Sequence, residues 1–257
     1  ATGRYLISLD PLRDPMGVLL ILDFYALASR SPTDEGIDAG ASFIVNLVDS
    51  NFISAHYKDP LTDRHHSCAL VDMPNWAYSY ALALYRLSQN EDDDEAENFL
   101  ERAEDALVGA LEKFPMVLPK LLIMNDVNIE DRSMIMDWQS VLSLFMPDAN
   151  GTNVTTDTVE DRVTRASGEH LVKIFVQRCH KLWKEDDVVK WLYCCCERVA
   201  MEYIERYKND GPGLTSSFEP AIARYAQCDP SEWEDAFRTF PPEAIALNPN
   251  LVAPAMA

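Results

Sequence analysis

Histidine and cysteine residues, the side chains that most often bind zinc, cluster at three places in the chain: His65, His66 and Cys68, then Cys179 and His180, then Cys194, Cys195 and Cys196. A zinc site needs pairs of ligands spaced to reach one ion, as in C-x-x-C or H-x-x-x-H. None of the three clusters has that spacing. We therefore expect no metal site. The simpler interpretation makes Cys179 and Cys196 small core residues and leaves Cys194 and Cys195 less buried.

An acidic run, EDDDEAE at residues 91–97, is the second place where the residue types suggest chemistry. It lacks the glycine and alternating ligands of an EF-hand loop, and catalytic carboxylate pairs need contrasting environments that a solvated run does not supply. The chain also contains no phosphate-binding loop, nucleophile elbow or dinucleotide-binding glycine motif. We expect no catalytic residue and no cofactor. The alternative is an enzyme with a His/Cys or carboxylate site in the groove between helical hairpins.

The same acidic run is the candidate partner-binding site. Its members Asp92, Asp93, Asp94 and Glu95 would attract a basic partner, although a charged run is more commonly only a solvated turn. Most aromatic residues of the chain fall at helical spacing and are expected in the core. Tyr78 is the exception, because it lies off the face that its neighbours share, and we add it to the candidate partner-binding residues.

Composition limits the class of partner. The 257 residues are 47% hydrophobic, enough for an extended core, and 42 acidic against 22 basic residues give a formal charge of -20. Such a chain is repelled by nucleic acid and by anionic lipid, so we expect basic or neutral protein partners, no membrane and no direct nucleic-acid binding. The six cysteines show no paired framework, which favours the cytoplasm and possibly the nucleus. The missing initiator Met predicts a fragment, so a targeting signal could lie outside it.

The acidic run lies within a predicted helical hairpin between Asp72 and Pro115. Pro74 suits a first helical turn, and apolar residues from Trp76 to Leu87 recur on one face. The second half has residues at the intervals of a tetratricopeptide second helix: Ala103, Leu107, Ala110 and Pro115. The pattern predicts two antiparallel helices with the acidic run in the turn between them.

The fold class is predicted to be all-α, with antiparallel helical hairpins stacked as a tetratricopeptide-like α-solenoid. Further helices are expected at 14–26, 37–52, 116–124, 131–145, 168–184 and 186–208, with a polar connection at 54–72. Residues 1–210 would form the solenoid. Residues 211–257, rich in proline, would form an irregular segment packed on it, with one short helix at 231–240.

Four blocks in the first half of the chain resemble one family. They are Ser8–Met16 (SLDPLRDPM), Leu20–Leu27 (LILDFYAL), Met73–Leu84 (MPNWAYSYALAL) and Lys113–Pro119 (KFPMVLP). In this order they are similar to the C-terminal region of the transcription-factor-twenty-five family, also called ribosome quality control complex subunit 1. The chain after about Asn125 carries no comparable block.

The resemblance implies a non-enzymatic scaffold of ribosome quality control. Its partners would be a RING ubiquitin ligase, ubiquitin, proteins of the large ribosomal subunit and an AAA segregase, and the outcome would be degradation-type ubiquitination of stalled nascent chains. Family members also have a lysine-rich N-terminal region, absent here, that would contact RNA. Because members have been called transcriptional regulators, a transcriptional scaffold is the second alternative.

Overall fold

The structure, a computed structural model, describes residues 15–28, 38–58, 63–89, 93–127, 136–145, 158–207 and 213–225. Helices dominate this part of the chain. The α-helices are α1 (Leu22–Ala28), α2 (Ala39–Asp49), α3 (Pro74–Ser88), α4 (Asp93–Lys113), α5 (Val117–Met124), α6 (Trp138–Phe145), α7 (Val159–Cys179) and α8 (Asp186–Tyr207). Short 3-10 helices span Pro15–Leu20, Leu70–Asp72, His180–Trp183 and Pro220–Tyr225. The predicted helical character is confirmed, whereas the solenoid arrangement stays a prediction.

The first two α-helices pack closely because the second residue of α2, Gly40, is a glycine. A Cβ atom on Gly40 would lie 1.9 Å from the Ala26 carbonyl oxygen, so any larger residue would push α2 away from α1. The Asp38 carboxylate caps α2 by accepting hydrogen bonds from the backbone N–H groups of Gly40 and Ala41. The helix predicted at 37–52 is thus α2, shorter at both ends.

The connection predicted at 54–72 is instead a β-hairpin, so the expectation of an all-α fold is wrong at this point. Strand β1 (Ser54–Lys58) pairs antiparallel with β2 (His65–Ala69). Buried and exposed side chains alternate, as expected for strands. The buried positions are Ala55 and Cys68, whereas Ser67, next to Cys68, is exposed. Polar residues between them hide this alternation in the sequence.

The helical hairpin predicted around the acidic run is confirmed as α3 and α4. Nearly every residue of α3 is buried, whereas α4 buries only one face, with Ala103, Leu107 and Ala110 turned inward. The acidic run differs from its predicted place in the turn, because α4 begins at Asp93 and its acidic residues form the first helical turn. Carboxylates are favoured there by the partial positive charge of a helix N-terminus.

Helix α7 begins nine residues before the predicted start at 168. The reason is a capping box at Thr158, whose hydroxyl accepts from the Asp161 backbone N–H while the Asp161 carboxylate accepts from the Thr158 backbone N–H. Gly168 therefore lies inside the helix. A Cβ atom there would meet ring atoms of Phe218 at 2.3–2.5 Å, so this glycine makes room for an aromatic ring.

Residues 213–225 lie against the helices and the β-hairpin. The backbone N–H of Leu214 donates to the Leu144 carbonyl, and that of Ser217 donates to the Lys113 carbonyl. The 3-10 helix Pro220–Tyr225 packs on α7 and on β1. All described residues belong to one compact unit that ends near residue 226. The division at 210 stays a prediction, and the short helix predicted at 231–240 lies outside the described residues.

Candidate partner-binding surface

The third block contacts the short segment between the first and second blocks through one carbonyl group. The Leu19 oxygen, at the end of the 3-10 helix Pro15–Leu20, accepts hydrogen bonds from Asn75 Nδ2 at 2.9 Å and from Trp76 Nε1 at 2.8 Å. Both donors belong to the first turn of α3, and both side chains are buried. The third block is therefore held against the segment that precedes the second block by polar groups that would be costly to bury alone.

A carboxyl group lies buried beside this contact. The Asp23 Oδ2 atom accepts a hydrogen bond from Ser79 Oγ at 2.9 Å. Burial raises the pKa of Asp23 from its usual value to about 6, although the hydrogen bond from Ser79 and the positive charge of Arg178 oppose the shift. Arg178 Nη1 donates to the Leu20 carbonyl, so α7 is attached to the same segment.

The fourth block contacts the third through the side chain of Tyr78. Tyr78 was predicted to bind a partner, and its position in the structure corrects that prediction. Tyr78 is 0% exposed, and its hydroxyl donates to the Phe114 carbonyl at 3.2 Å. Its ring packs against Phe175 and Trp183, with centroids 5.7 and 5.8 Å away. Tyr78 lies off the face of Trp76 because α3 is buried on nearly all sides, so an off-face position does not make it accessible.

The acidic residues singled out in the sequence lie at the beginning of α4. Asp92 is outside the described residues, Asp93 and Asp94 open the helix, and Glu95 is exposed. Their role in partner binding stays a prediction.

The acidic surface continues along α4 beyond the residues found in the sequence. Glu97, Glu101 and Asp105 are exposed and four residues apart, and we call them the acidic stripe. Like charges at this spacing destabilise a helix by roughly 0.2–0.5 kcal/mol per pair. Within the described part of the chain, Glu97 and Glu101 have no basic partner. The negative charges of Glu97 and Glu101 therefore lower the stability of α4 slightly.

At its far end the stripe reaches α8. Asp105 Oδ1 binds Arg198 Nη2 at 2.8 Å, and Arg198 Nε also binds Glu202 Oε1 at 3.0 Å. Another pair, Arg206 with Glu112 at 3.6 Å, joins the same two helices. From the first pair to the second, the residue number increases along both helices. Helices α4 and α8 therefore lie side by side and run in the same direction.

Two exposed apolar side chains lie on α8 beyond the point where the end of the stripe meets it. Met201 is 61% exposed and Ile204 is 49% exposed, and both fall on the turns next to Arg198. Sequence reasoning named only the buried face of this helix and missed them. Their positions carried the signal, Met201 between the buried Val199 and Tyr203 and Ile204 directly after Tyr203, because a long apolar residue off the core face is unusual when repeated.

The basic residue nearest the start of the stripe is already engaged. Arg102 Nη2 binds Asp49 Oδ2 at 2.7 Å and the Tyr80 hydroxyl at 2.9 Å. The Tyr80 hydroxyl in turn donates to Asp49 Oδ1 at 2.7 Å. This cluster fastens α2, α3 and α4 to one another, and its arginine is directed away from the acidic stripe.

The histidines and cysteines do not form a common site in the described residues, where no three His, Cys, Asp or Glu side chains are placed to hold a metal ion. His66 Nε2 lies 3.2 Å from Glu160 Oε1. Cys194 is exposed, whereas Cys195 is buried against α4, contrary to its predicted exposure. Burial raises the pKa of the Cys68 and Cys195 thiols to about 12, which keeps them protonated and poorly nucleophilic. The expectation of a non-enzymatic chain remains untested.

A family model described as "Tcf25: Transcriptional repressor TCF25" matches residues 1–248. The chain belongs to this family. The match covers the four resembling blocks and also the second half of the chain, including α7 and α8, for which the sequence alone offered no recognisable block.

Curated relatives are identical to the chain at about a quarter of the aligned positions. "Ribosome quality control complex subunit TCF25" of Mus musculus is 28% identical over 193 residues, 74% of this chain and 22% of that protein. The human protein of the same name is 26% identical over 192 residues, 74% of this chain and 22% of the relative. "Probable transcription factor claV" of Ampulloclitocybe clavipes is 27% identical over 190 residues, 74% of this chain and 21% of the relative.

The chain thus spans about a fifth of the length of the curated relatives it matches. No solved structure matches it. Among the described helices, none combines the length and the apolar content that crossing a membrane requires.

Proposed function

We propose that this chain is a non-enzymatic protein-interaction module of a ribosome quality control subunit, working in the cytoplasm, with the nucleus as a second location. The observation that carries the proposal is the surface formed by the acidic stripe of α4 and the exposed Met201 and Ile204 of α8. A charged stripe beside exposed apolar side chains suits a protein partner, since the charge orients the encounter and the apolar residues add buried area.

Family membership supports the cellular role. Relatives named as ribosome quality control complex subunits align over 74% of this chain. For the partners, we propose a RING ubiquitin ligase, ubiquitin and basic proteins of the large ribosomal subunit, with an AAA segregase acting after them on the ubiquitinated nascent chain. Each of the first three can present lysine and arginine to an acidic surface.

The test is a reconstituted ubiquitination reaction on stalled large ribosomal subunits, with and without the purified chain. We expect the chain to co-sediment with the subunits or bind the ligase, and to shift the products toward degradation-type chains. Crosslinks should map to α4 and α8. A chain that binds neither the ligase, ubiquitin nor the subunits, and leaves the ubiquitin products unchanged, would refute the proposal.

Two substitutions separate the proposed surface from the rest of the molecule. Met201→Glu places a charge on α8 beside the stripe, whereas Ile123→Glu alters a comparably exposed apolar residue, 65% accessible, at the end of α5. We expect Met201→Glu to weaken partner binding and Ile123→Glu to leave it unchanged. Both variants should keep the helical circular dichroism spectrum, because neither side chain is in the core.

A transcriptional scaffold is the second candidate, favoured by the family description and by the name of the fungal relative. Its test is recruitment of the chain to a reporter promoter through a fused DNA-binding domain. Repression that survives Met201→Glu, together with no effect of the chain on ubiquitination, would favour this function over the first. Direct DNA reading is not part of this proposal, because the chain's formal charge of -20 opposes contact with phosphates.

A further inference from the structure

The β-hairpin contains an edge whose backbone groups are directed outward. In an antiparallel pair, successive residues alternate between groups that bond the partner strand and groups that point away from it. Ser54 lies opposite Ala69, and His56 lies opposite Ser67. Because these pairs are two residues apart, they are of the same kind. Either both pairs bond across the hairpin, or both direct their backbone groups away from it.

Two hydrogen bonds show that the residues of these pairs direct their backbone groups outward. The His56 carbonyl accepts from Arg224 Nη1 at 2.9 Å, and the Ala69 N–H donates to Asp72 Oδ2 at 2.8 Å, so neither group bonds the opposite strand. By the same alternation, Ser67 and His65 direct both their N–H and their C=O groups away from β1.

The two edges of the hairpin differ in what covers them. The 3-10 helix Pro220–Tyr225 packs on both strands, but it bonds the outward backbone of β1, where Arg224 donates to the His56 carbonyl. On β2, the side chains of His65 and Ser67 are exposed. In the part of the chain that the structure describes, their outward backbone groups bond no other residue. An exposed strand edge of this kind can pair with another chain.

The charge around β2 indicates which kind of segment fits. Glu160 Oε1 lies 3.2 Å from His66 Nε2, so the acidic first turn of α7 lies beside the strand. Asp63, two residues before β2, is paired with Lys58 of β1 at 2.6 Å, so Glu160 is the carboxylate on which the preference depends. A second copy of this chain would bring another charge of -20 to the same edge, which disfavours self-association.

We propose that the outer edge of β2 binds an extended, lysine- or arginine-bearing segment of a partner protein as a third strand. The added strand would bond the N–H and C=O groups of His65 and Ser67. Side chains alternate along a strand, so every second residue of the segment would lie on the His66 face, near Glu160. A lysine or arginine at those positions would lie near the Glu160 carboxylate, so the edge would favour a basic segment over an acidic one. This site is distinct from the α4 and α8 surface.

The test uses the whole chain and a short capped peptide of alternating valine and lysine, followed by fluorescence anisotropy and amide hydrogen exchange. We expect saturable binding and new protection of the amides of His65 and Ser67. The matching valine and glutamate peptide should bind at least roughly tenfold more weakly. A valine and lysine peptide methylated on alternate backbone nitrogens should also lose binding, because its bonding edge is blocked.

Two substitutions at one position complete the design. Ser67→Pro removes the outward N–H without touching a bond to β1, whereas Ser67→Thr keeps the N–H and suits a strand. We expect Ser67→Pro to weaken peptide binding roughly tenfold or more and Ser67→Thr to preserve it. If Ser67→Pro does not fold, the methylated peptide decides the question with the unaltered chain.

Three results would overturn the proposal. The first is the absence of saturable binding by the valine and lysine peptide. The second is equal binding of the methylated peptide, which would place the contact away from the strand edge. The third is protection of the His65 and Ser67 amides before peptide is added. If that protection increases with protein concentration, a second copy occupies the edge.

Discussion

At the scale of single residues, the Leu19 carbonyl is the contact on which the first turn of α3 depends. Trp76 is fully buried and donates to this oxygen. We expect Trp76→Ala to lower the free energy of unfolding by about 3–5 kcal/mol. Trp76→Phe should cost about 1–2 kcal/mol, because it fills most of the volume and Asn75 still donates to the same oxygen. Urea unfolding measures both, and a loss below about 0.5 kcal/mol for the alanine variant would contradict this packing.

The buried carboxyl group of Asp23 leads to a prediction about how the stability of the fold depends on pH. Its folded-state pKa of about 6 lies above the usual value of 3.8, so the folded chain binds the proton more tightly than the unfolded chain does. The stability contributed by this group is therefore highest below about pH 4 and falls as the pH rises to about 6. The shift corresponds to a loss on the order of 3 kcal/mol across that window.

Asp23→Asn should remove this part of the pH dependence. Urea unfolding at pH values from 4 to about 7 would then show a flatter slope than the original chain, even if absolute stability also changes. Glu101→Gln, which neutralises an exposed carboxylate on α4, is the control and should keep the original slope. An unchanged slope in Asp23→Asn would mean that another group titrates in this range.

At the scale of elements, two glycines inside helices have opposite roles. Gly168 of α7 faces the ring of Phe218, which also stacks on Phe114 with centroids 5.7 Å apart. We expect Gly168→Ala to keep α7 helical but to displace residues 213–225, so that the amides of Leu214 and Ser217 exchange faster with deuterium.

Gly109 of α4 is the matched control. A Cβ atom there would meet nothing within 4 Å. Gly109→Ala should raise stability by about 0.5–1 kcal/mol, since alanine loses less backbone freedom in a helix, and it should leave the exchange of residues 213–225 unchanged. Equal exchange in both variants would show that Phe218 does not hold this segment in place.

The helices could be predicted where apolar residues recur at helical spacing over several turns, as in α3, α4 and α8. The β-hairpin could not, because its buried positions are Ala55 and Cys68, which carry a weak strand signal among histidines and serines. The start of α7 was missed because its first turns expose Val159 and Val163 and bury Thr164, the reverse of the usual pattern.

The candidate site shows a similar division. Local acidity led to the beginning of α4, but the extension to Asp105 and Arg198 depends on a contact between residues 93 positions apart in the chain. Tyr78 was misjudged for the same reason. Its burial comes from Phe175 and Trp183, which lie far along the chain and pack on a side of α3 that local spacing marks as outside the core.

At the scale of the whole molecule, the net charge of -20 governs how partners approach, while local arrangement decides where they bind. Reversing the first acids of α4 is a poor test of binding, because α4 begins at Asp93 and acidic residues at a helix N-terminus generally stabilise the helix. Glu97 and Glu101 are better choices. They lie past the first turn, and replacing both by lysine exchanges one like-charge pair for another, so the repulsion within α4 stays about the same.

The double variant Glu97→Lys, Glu101→Lys should therefore slow association with a basic partner while leaving unfolding almost unchanged. The partner to use is the ribosomal subunit or ligase that binds in the reconstituted reaction, and stopped-flow association gives the rate. Because salt screens charges beyond about 8 Å at physiological ionic strength, the original chain should lose association rate as salt is added, and the variant should lose less. Asp126→Lys with Glu169→Lys makes the same change in net charge on exposed positions after α5 and on α7, away from the proposed surface, so it is the control. If both doubles slow association equally at every salt concentration, only the net charge matters and the acidic stripe is not where the partner docks.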